Sequence, residues 1–326
     1  MKMTTIAAIQ PALQLGEVDT NLARIERLIR EAHTAHRPDL IVVPEAFTSP
    51  NVYHRTCRHV SQPVDGAPYR LLTELAGELG CVISGGFLAQ RGRDVYGTYL
   101  LAEPDGLAHL HDKDQPTMWE NNYYRSGDDD GIVDCASLRA IVGLTSGWEL
   151  GRSRTATRLR GKAELIINGM CWPALPLNWP GPARWWGRRE QQAQVRLAQA
   201  MPPKMARLVG APIVMASHVG PITMSTPALP GVPYRTQMVG QTQICERDGT
   251  VLARLDYDDG EGHIAATVEL APPDPLDEIP SRFWFLNMGP SVTATWSLAN
   301  VHGTTKYHAL KRLGRHPWQR TEQART

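Results

Sequence analysis

The chain has 326 residues, of which 42% are hydrophobic and 21% charged, and its formal net charge is +1. This composition is typical of a folded chain that builds one large domain or two modest ones. Nucleic-acid or membrane-surface binding normally requires a strong basic bias, so the balanced charge excludes both as expected partners. The first residues show no secretory leader and no apolar run approaches the ~20 residues of a membrane span, which predicts a cytoplasmic protein.

The cysteines and the acidic residues give no metal or cofactor signature. Five cysteines are scattered along the chain without Cys-x-x-Cys spacing, so neither a disulfide framework nor a zinc site is indicated. The acidic loop at 125–131 lacks the alternating ligands and the distal glutamate of an EF-hand calcium loop, which favours a solvated loop. We therefore predict no cofactor and no metal.

Strands and amphipathic helices alternate through the first half of the chain. Apolar, β-branched runs bounded by turn residues predict strands over 4–10, 39–45, 81–88, 96–102 and 108–113. Helical spacing of apolar residues predicts helices from Thr20 to Ala32 and from Tyr69 to Gly80.

The second half shows the same alternation of strand and helix patterns up to about residue 272. Strands are predicted over 163–168, 211–216, 240–245, 251–255 and 264–270. A helix around 185–201 should end at Pro202-Pro203, since proline lacks the amide that continues a helix. Two similar halves of strands and helices suit two sheets packed face to face and flanked by helices. Past Pro272 a proline-rich stretch leads into a basic tail from Lys306 to Arg320, which we interpret as a solvated or subunit-packing extension.

Three segments share one pattern, in which a buried strand delivers a polar or charged residue at its end. They read Ile-Val-Val-Pro-Glu at 41–45, Lys-Asp-Gln-Pro-Thr-Met-Trp-Glu at 113–120, and Arg-Ala-Ile-Val-Gly-Leu-Thr-Ser-Gly-Trp-Glu at 139–149. The third enters a sharp turn of the kind on which α/β enzymes hold a nucleophile. Desolvation raises the pKa of a carboxylate such as Glu45 and makes it a usable general base, while Lys113 suits stabilisation of an oxyanion.

Together these segments resemble the nitrilase or carbon-nitrogen hydrolase superfamily, whose members place a glutamate, a lysine and a cysteine at the ends of three strands. Pro-Glu-Ala-Phe at 44–47 and Lys-x-x-Pro-Thr-x-x-Glu at 113–120 are similar to its first two motifs. Gly143, Trp148 and Glu149 align with the third motif without a gap, and the position of the cysteine is Gly147.

The resemblance implies a four-layer αββα sandwich over residues 1–272. Residues 273–326 would then be an extension that packs on this domain or across a subunit interface, in a homodimer or a higher homo-oligomer. The resemblance also implies catalytic roles for Glu45, Lys113 and Glu120, a nucleophile position at Gly147, and substrate contacts from Trp148, Glu149, Cys171 and Trp172.

Glycine has no atom with which to attack a substrate, so the nucleophile is open to several interpretations. Ser146 should face away from the pocket, because adjacent side chains on a strand point to opposite faces. Cys171 lies in an apolar context in which a lone cysteine is usually inert. We expect instead a thiol-sized space beside Gly147 that holds a water or a nucleophile of the substrate. Alternatives are a non-catalytic ligand-binding protein and a deliberate replacement of the cysteine.

The sequence thus predicts an enzyme that acts on a C–N centre of a small amide, nitrile or related nitrogen compound. Glu45 and Lys113 would do so by a mechanism without a thiol. His218 could also face the pocket, but no Ser-His-Asp pattern surrounds it.

Overall fold

The computed structural model describes residues 2–178, 181–226 and 232–313. In chain order the strands are β1 Lys2–Gln10, β2 Leu40–Val42, β3 Gln62–Pro63, β4 Val82–Arg91, β5 Asp94–Ala102, β6 Ala108–Asp112, β7 Ile132–Cys135, β8 Ala140–Ser146, β9 Leu165–Met170, β10 Ile213–Ser217, β11 Pro221–Ser225, β12 Pro233–Gln237, β13 Thr242–Cys245, β14 Val251–Leu255 and β15 Gly262–Leu270. The α-helices are α1 Val18–His36, α2 Ala67–Leu79, α3 Ser153–Leu159, α4 Pro182–Val209 and α5 Gly289–Arg312. Short 3₁₀ helices include Met118–Asn122 and Gly147–Gly151.

The strands form two mixed sheets and one hairpin. The first sheet has the order β15-β1-β2-β4-β5-β6, with β3 paired to β4, and the second has the order β14-β13-β10-β9-β8-β7. Within them β1, β2 and β4 run parallel, as do β8, β9 and β10. Strands β11 and β12 form a separate hairpin. Because β15 pairs antiparallel with β1 along its full length, the chain returns to the first sheet after building the second.

Alternating side chains sort the core into three layers. In β1, Ile6 and Ala8 pack between the sheets against residues such as Val142 of β8, whereas Ala7 and Ile9 pack outward. The outward layer of the first sheet is completed by α1 and α2. The outer face of the second sheet is covered by α3 and α4. These layers form the predicted αββα sandwich. Alternate side chains of one strand point to opposite faces of its sheet, so each strand contributes both to the layer between the sheets and to the layer under the helices.

Helix α4 continues through Pro202 and Pro203, so the predicted helix end at these prolines is wrong. Each proline lacks the N–H that would bond the carbonyl four residues earlier, at Ala198 and Gln199. The buried side chain of Gln243 replaces these donors, since its Nε2 lies 3.1 Å from the carbonyl oxygen of Ala198 and 3.4 Å from that of Gln199. Hydrogen bonds from the Gln243 side chain of β13 therefore replace the two that the prolines remove from the helix.

The segment after β15 returns to the second sheet before it forms α5. Phe285 N–H bonds the carbonyl of Gly151 at 3.0 Å, beside the 3₁₀ helix Gly147–Gly151. Helix α5 then covers the other 3₁₀ helix, where Asn300 Oδ1 accepts from Met118 N–H at 2.9 Å and from Asn121 Nδ2 at 2.6 Å. The predicted basic tail is thus helical as far as Arg312, and its remainder lies outside the described residues. Of the helices in the described ranges, none is both long and apolar enough to cross a membrane.

Candidate active site

The predicted site residues meet where strands of both sheets end. Glu45 follows β2 and Lys113 follows β6 of the first sheet. Ser146 is the last residue of β8, and Cys171 and His218 directly follow β9 and β10 of the second sheet. In parallel sheets the carboxyl ends of strands lie at one edge, which is where open α/β sheets commonly bind ligands.

Glu45, Lys113 and Glu120 form a buried ionic array. The Nζ of Lys113 lies 3.1 Å from Glu45 Oε2, and 2.8 and 3.1 Å from the two carboxylate oxygens of Glu120. Lys113 has no exposed surface, and Glu45 and Glu120 are 6% and 4% exposed. Glu120 also accepts the N–H of Thr117, so its carboxylate is fixed against the lysine from a second side.

Burial sets the protonation of this array. It raises the pKa of the Glu45 carboxyl, an effect that Lys113 opposes and the negative charge of Glu120 reinforces. Burial alone would lower the pKa of Lys113, but the carboxylates of Glu120 and Glu45 outweigh it and keep the lysine charged. The array therefore contains a carboxylate whose affinity for a proton is increased and a permanent cation beside it.

Ser146 faces Glu45, and the expectation that it would point away is wrong. Its Oγ donates a hydrogen bond of 2.8 Å to Glu45 Oε2, and the residue is 2% exposed. The alternation of a strand does not apply here, because β8 ends at Ser146 and the chain turns into a 3₁₀ helix at Gly147. A hydroxyl thus stands beside the candidate base.

Gly147 lies next to the ionic array, but the expected thiol-sized space is not there. An ideal Cβ at this position would lie 2.5 Å from Lys113 Nζ and 2.8 Å from Glu45 Oε2. The charged groups themselves occupy the volume that a side chain would need. Gly147 also has a φ of +55°, a left-handed conformation that favours glycine.

Cys171 contributes its backbone, not its thiol, to Glu45. Its N–H donates to Glu45 Oε1 at 3.0 Å, while its Sγ accepts the N–H of Asn51 at 3.3 Å. Burial raises the pKa of the thiol well above its ordinary range, and the charge of Glu45 raises it further. A neutral thiol is a poor nucleophile.

Glu149, predicted to contact substrate, is instead part of a buried network behind the turn. Its Oε2 accepts from the N–H of Ser146 at 2.7 Å and lies 2.9 Å from His111 Nε2, while Oε1 accepts the N–H of Asp114 at 3.0 Å. The residue is completely buried. It links the backbone at Ser146 to the backbone directly after Lys113, which is a positioning role.

Trp148 and Trp172 pack in the outer core of the second sheet. Their ring centroids lie 4.3 Å apart, and Trp284 of the C-terminal segment lies 5.5 Å from Trp148. Trp172 and Trp284 are each 5% exposed within the cluster that also contains Met201 of α4. These contacts give both predicted substrate-binding tryptophans a packing role.

His218 is a site residue whose contact the sequence did not reveal. Its Nε2 lies 2.6 Å from the carbonyl oxygen of Glu45. Burial lowers the pKa of the imidazole to about 4, so the ring is neutral and Nε2 can donate to that carbonyl. Ala46, the next residue along the chain, has a φ of +54°, so the backbone beside Glu45 is strained as well as anchored. The sequence offered one signal for this contact: His218 directly follows β10, which runs parallel to β9.

Comparison with known proteins settles the family. A model of the carbon-nitrogen hydrolase family matches residues 5–272. The chain belongs to the carbon-nitrogen hydrolase family. Among curated proteins, the N-carbamoylputrescine amidases of Solanum lycopersicum and Solanum tuberosum are each 28% identical over 161 residues, which is 45% of this chain. The chain matches about half of the length of these relatives, 51% in each case.

Solved structures of the same superfamily share the fold. An amidase from Nesterenkonia sp. superposes with a TM-score of 0.64 at 18% identity, over 86% of this chain and 93% of that protein. Nit3 of Saccharomyces cerevisiae, a member of the nitrilase superfamily, gives 0.62 at 18% identity over 83% and 91%. These similarities confirm the nitrilase-type sandwich predicted from the sequence.

Proposed function

We propose that the chain is an amidase- or nitrilase-class enzyme that acts on a C–N centre of a small amide, nitrile or related nitrogen compound without a thiol nucleophile. The observation that carries this proposal is the buried array of Glu45, Lys113 and Glu120 at the strand ends. Membership of the carbon-nitrogen hydrolase family supports the reaction class.

A purely structural role explains the array poorly. Transferring charged groups from water into a protein interior costs several kcal/mol for each ion, and apolar residues of similar volume often stabilise a core at least as well. The same burial raises the pKa of Glu45. A carboxyl with a raised pKa beside a fixed cation, at the ends of several strands, is the electrostatic arrangement of a site that moves protons.

In the proposed reaction Glu45 is the general base and Lys113 stabilises charge that develops on the substrate's oxygen or nitrogen. Glu120 holds Lys113 in place. We infer that Gly147 stands where the superfamily has its cysteine, which leaves this turn without a thiol. The raised pKa of Cys171 argues against that residue as a substitute.

The burial of the array supports a small substrate. Lys113 has no exposed surface and Ser146 has 2%, so only a small or slender group can reach both. The N-carbamoylputrescine amidases among the relatives make N-carbamoyl amines the first compounds to test, followed by simple amides and nitriles. The same proposal assigns residues 1–272 to the catalytic domain and 273–326 to an extension.

The test is turnover of this substrate panel by the wild type, Glu45→Gln and Lys113→Ala. Each variant should lose at least about 10²-fold in kcat/KM, because each removes a group that acts in the transition state. Glu103→Gln is a matched control, since Glu103 is also a buried glutamate but pairs with His109. Activity that survives both site substitutions would show that the assigned site is wrong. A wild type that binds but never turns over these compounds would indicate the alternative, a ligand-binding protein.

The proposal includes a homodimer or larger assembly and a cytoplasmic location. Light scattering of the purified chain tests the assembly. A monomer mass at working concentration contradicts it.

A further inference from the structure

Ser146 has the environment of an activated nucleophile. Its hydroxyl donates to Glu45 Oε2 at 2.8 Å, so its proton already lies on the path to a carboxylate. An enzyme nucleophile is recognised by a base within about 2.6–3.2 Å and by a further group that orients this base. Ser146 meets the first condition, and the other contacts of Glu45 meet the second.

Three contacts besides the one with Ser146 hold Glu45 in place. Its Oε1 accepts the N–H of Cys171 at 3.0 Å, its Oε2 also contacts Lys113, and its backbone carbonyl contacts His218. A carboxylate fixed in this way cannot rotate out of the hydrogen bond with the serine without breaking others. Burial also raises its pKa, which favours proton transfer from a hydroxyl.

Gly147 makes this approach possible. A Cβ at position 147 would lie 2.8 Å from Glu45 Oε2, which is the oxygen that Ser146 bonds, and 2.5 Å from Lys113 Nζ. Any side chain there would displace the base and the cation from their present places. The contact between Glu45 and Ser146 therefore depends on the absence of a side chain at position 147.

We propose that Ser146 is the nucleophile, displaced by one residue from the position of the superfamily's cysteine, and that it forms an acyl-ester with small acyl or carbamoyl amides. This inference rests on the proposed function, because it assigns a further residue to the same site. It replaces the water expected from the sequence, for which the charged groups beside Gly147 leave no thiol-sized volume.

The chemistry balances without a redox partner. Ser146 Oγ bonds the substrate's carbonyl carbon as its proton passes to Glu45, and the carbonyl oxygen takes up the electron pair beside Lys113. The C–N bond then breaks as Glu45 returns the proton to the leaving nitrogen. Water attacks the ester carbon, gives one proton to Glu45, and the serine oxygen leaves and recovers that proton. The sum is amide plus water giving acid plus amine.

The competing explanation is that Ser146 only orients Glu45 for attack by water. Covalent chemistry separates the two, since an orienting hydroxyl never carries the acyl group. Ser146→Cys adds a second distinction, because a thiol at this position can still be acylated. Ser153→Ala is the control variant: Ser153 is also buried, and its hydroxyl has no hydrogen-bond partner in the part of the chain that the structure describes.

The experiment is a pulse of p-nitrophenyl acetate, followed by acid quenching and peptide mass analysis, on the wild type, Ser146→Ala, Ser146→Cys and Ser153→Ala. We expect an acetyl group on the peptide that contains position 146 in the wild type, in Ser146→Cys and in Ser153→Ala, and none there in Ser146→Ala. Turnover of amides by Ser146→Ala should fall about 10³-fold or more. Thermal melting verifies that each variant is folded.

Failure of this inference can be told apart from failure of the proposed function. Turnover that Glu45→Gln abolishes and Ser146→Ala retains overturns Ser146 as the nucleophile and leaves the proposed function standing. A wild type without an adduct at position 146, or with one only on Cys171, also overturns the inference. Turnover that Glu45→Gln and Lys113→Ala both leave unchanged overturns the proposed function itself.

Discussion

His111 and Glu149 form an ion pair that is completely buried behind the turn at Ser146, with 2.9 Å between Nε2 and Oε2. The other ring nitrogen, Nδ1, contacts Asp129. Burial by itself would lower the pKa of His111, and the charge of Arg158 acts in the same direction. The two carboxylates outweigh both effects and raise this pKa to about 9. The pair ties the strand that precedes Lys113 to the turn that carries Ser146.

This pair predicts a pH-dependent stability. Because the pKa of His111 is higher in the folded chain, its protonated ring stabilises the fold. This contribution is fully present below the ordinary histidine pKa of 6.5 and is lost as the pH rises towards about 9. The loss should be on the order of 3 kcal/mol in the free energy of unfolding. Urea unfolding across this range measures it. The pKa values of Glu149 and Asp129 are lowered, so these two carboxyls change the pH dependence of stability only in acid, below the range from about pH 6.5 to about pH 9.

His111→Gln should remove most of that slope, whereas His109→Gln should keep it. His109 lies on the same strand and also pairs with a glutamate, but its side chain is 23% exposed. A wild type with flat stability from about pH 6.5 to about pH 9 would contradict the assignment of a charged His111.

Replacement of Gly147 by alanine should damage both stability and activity. The added Cβ meets Lys113 and Glu45, and the φ of +55° strains any L side chain. We expect about 2–4 kcal/mol of destabilisation and at least about a 10²-fold loss of kcat.

Gly161→Ala isolates the backbone part of this effect. Gly161 has a φ of +73° but nothing within 4 Å of its ideal Cβ, so only the left-handed strain of about 1 kcal/mol should appear. Equal melting temperatures for the Gly147→Ala and Gly161→Ala variants would show that crowding at the array has no energetic effect.

Glu120→Gln should shift the pH dependence of activity. The negative charge of Glu120 raises the pKa of Glu45, so its removal should lower that pKa and leave Lys113 to pair with Glu45 alone. The acidic limb of the kcat/KM profile should then move to lower pH. Glu103→Gln, remote from the array, should leave the limb in place, and a shift of the Glu120→Gln profile to higher pH would refute the coupling.

Gln243→Ala should destabilise the chain by about 1–3 kcal/mol, because the buried carbonyl of Ala198 and the partly buried carbonyl of Gln199 lose their donor. In a Pro202→Ala background the cost should be smaller, since residue 202 then has an N–H for the carbonyl of Ala198. A double-mutant cycle by urea unfolding measures this coupling. Strict additivity would mean that Gln243 does not replace the missing helix bond.

The sequence predicted the sandwich because strand and helix periodicities are local properties that the αββα layers preserve. The β1 segment shows this, since Ile6 and Ala8 face one layer and Ala7 and Ile9 the other. The roles of the predicted Glu45, Lys113 and Glu120 stay proposals, although the structure brings the three side chains together.

The failures came from contacts that local patterns cannot encode. The end of α4 was predicted from Pro202-Pro203 alone, but Gln243 supplies the missing donor from another element. Ser146 was assigned by strand alternation, which stops at the 3₁₀ helix. The space beside Gly147 was inferred from a missing side chain, yet long flexible groups from the other sheet fill it.

The two-sheet construction of the site also has a kinetic consequence. Glu45 and Ser146 are 101 residues apart in the chain, Glu45 and Cys171 are 126 apart, and the first sheet gains its strand β15 only after the second sheet has been built. Contacts between such distant residues form slowly, because chain entropy must be lost before they stabilise anything. During refolding, secondary structure should therefore recover well before activity, and a nascent chain should stay inactive until β15 has left the ribosome.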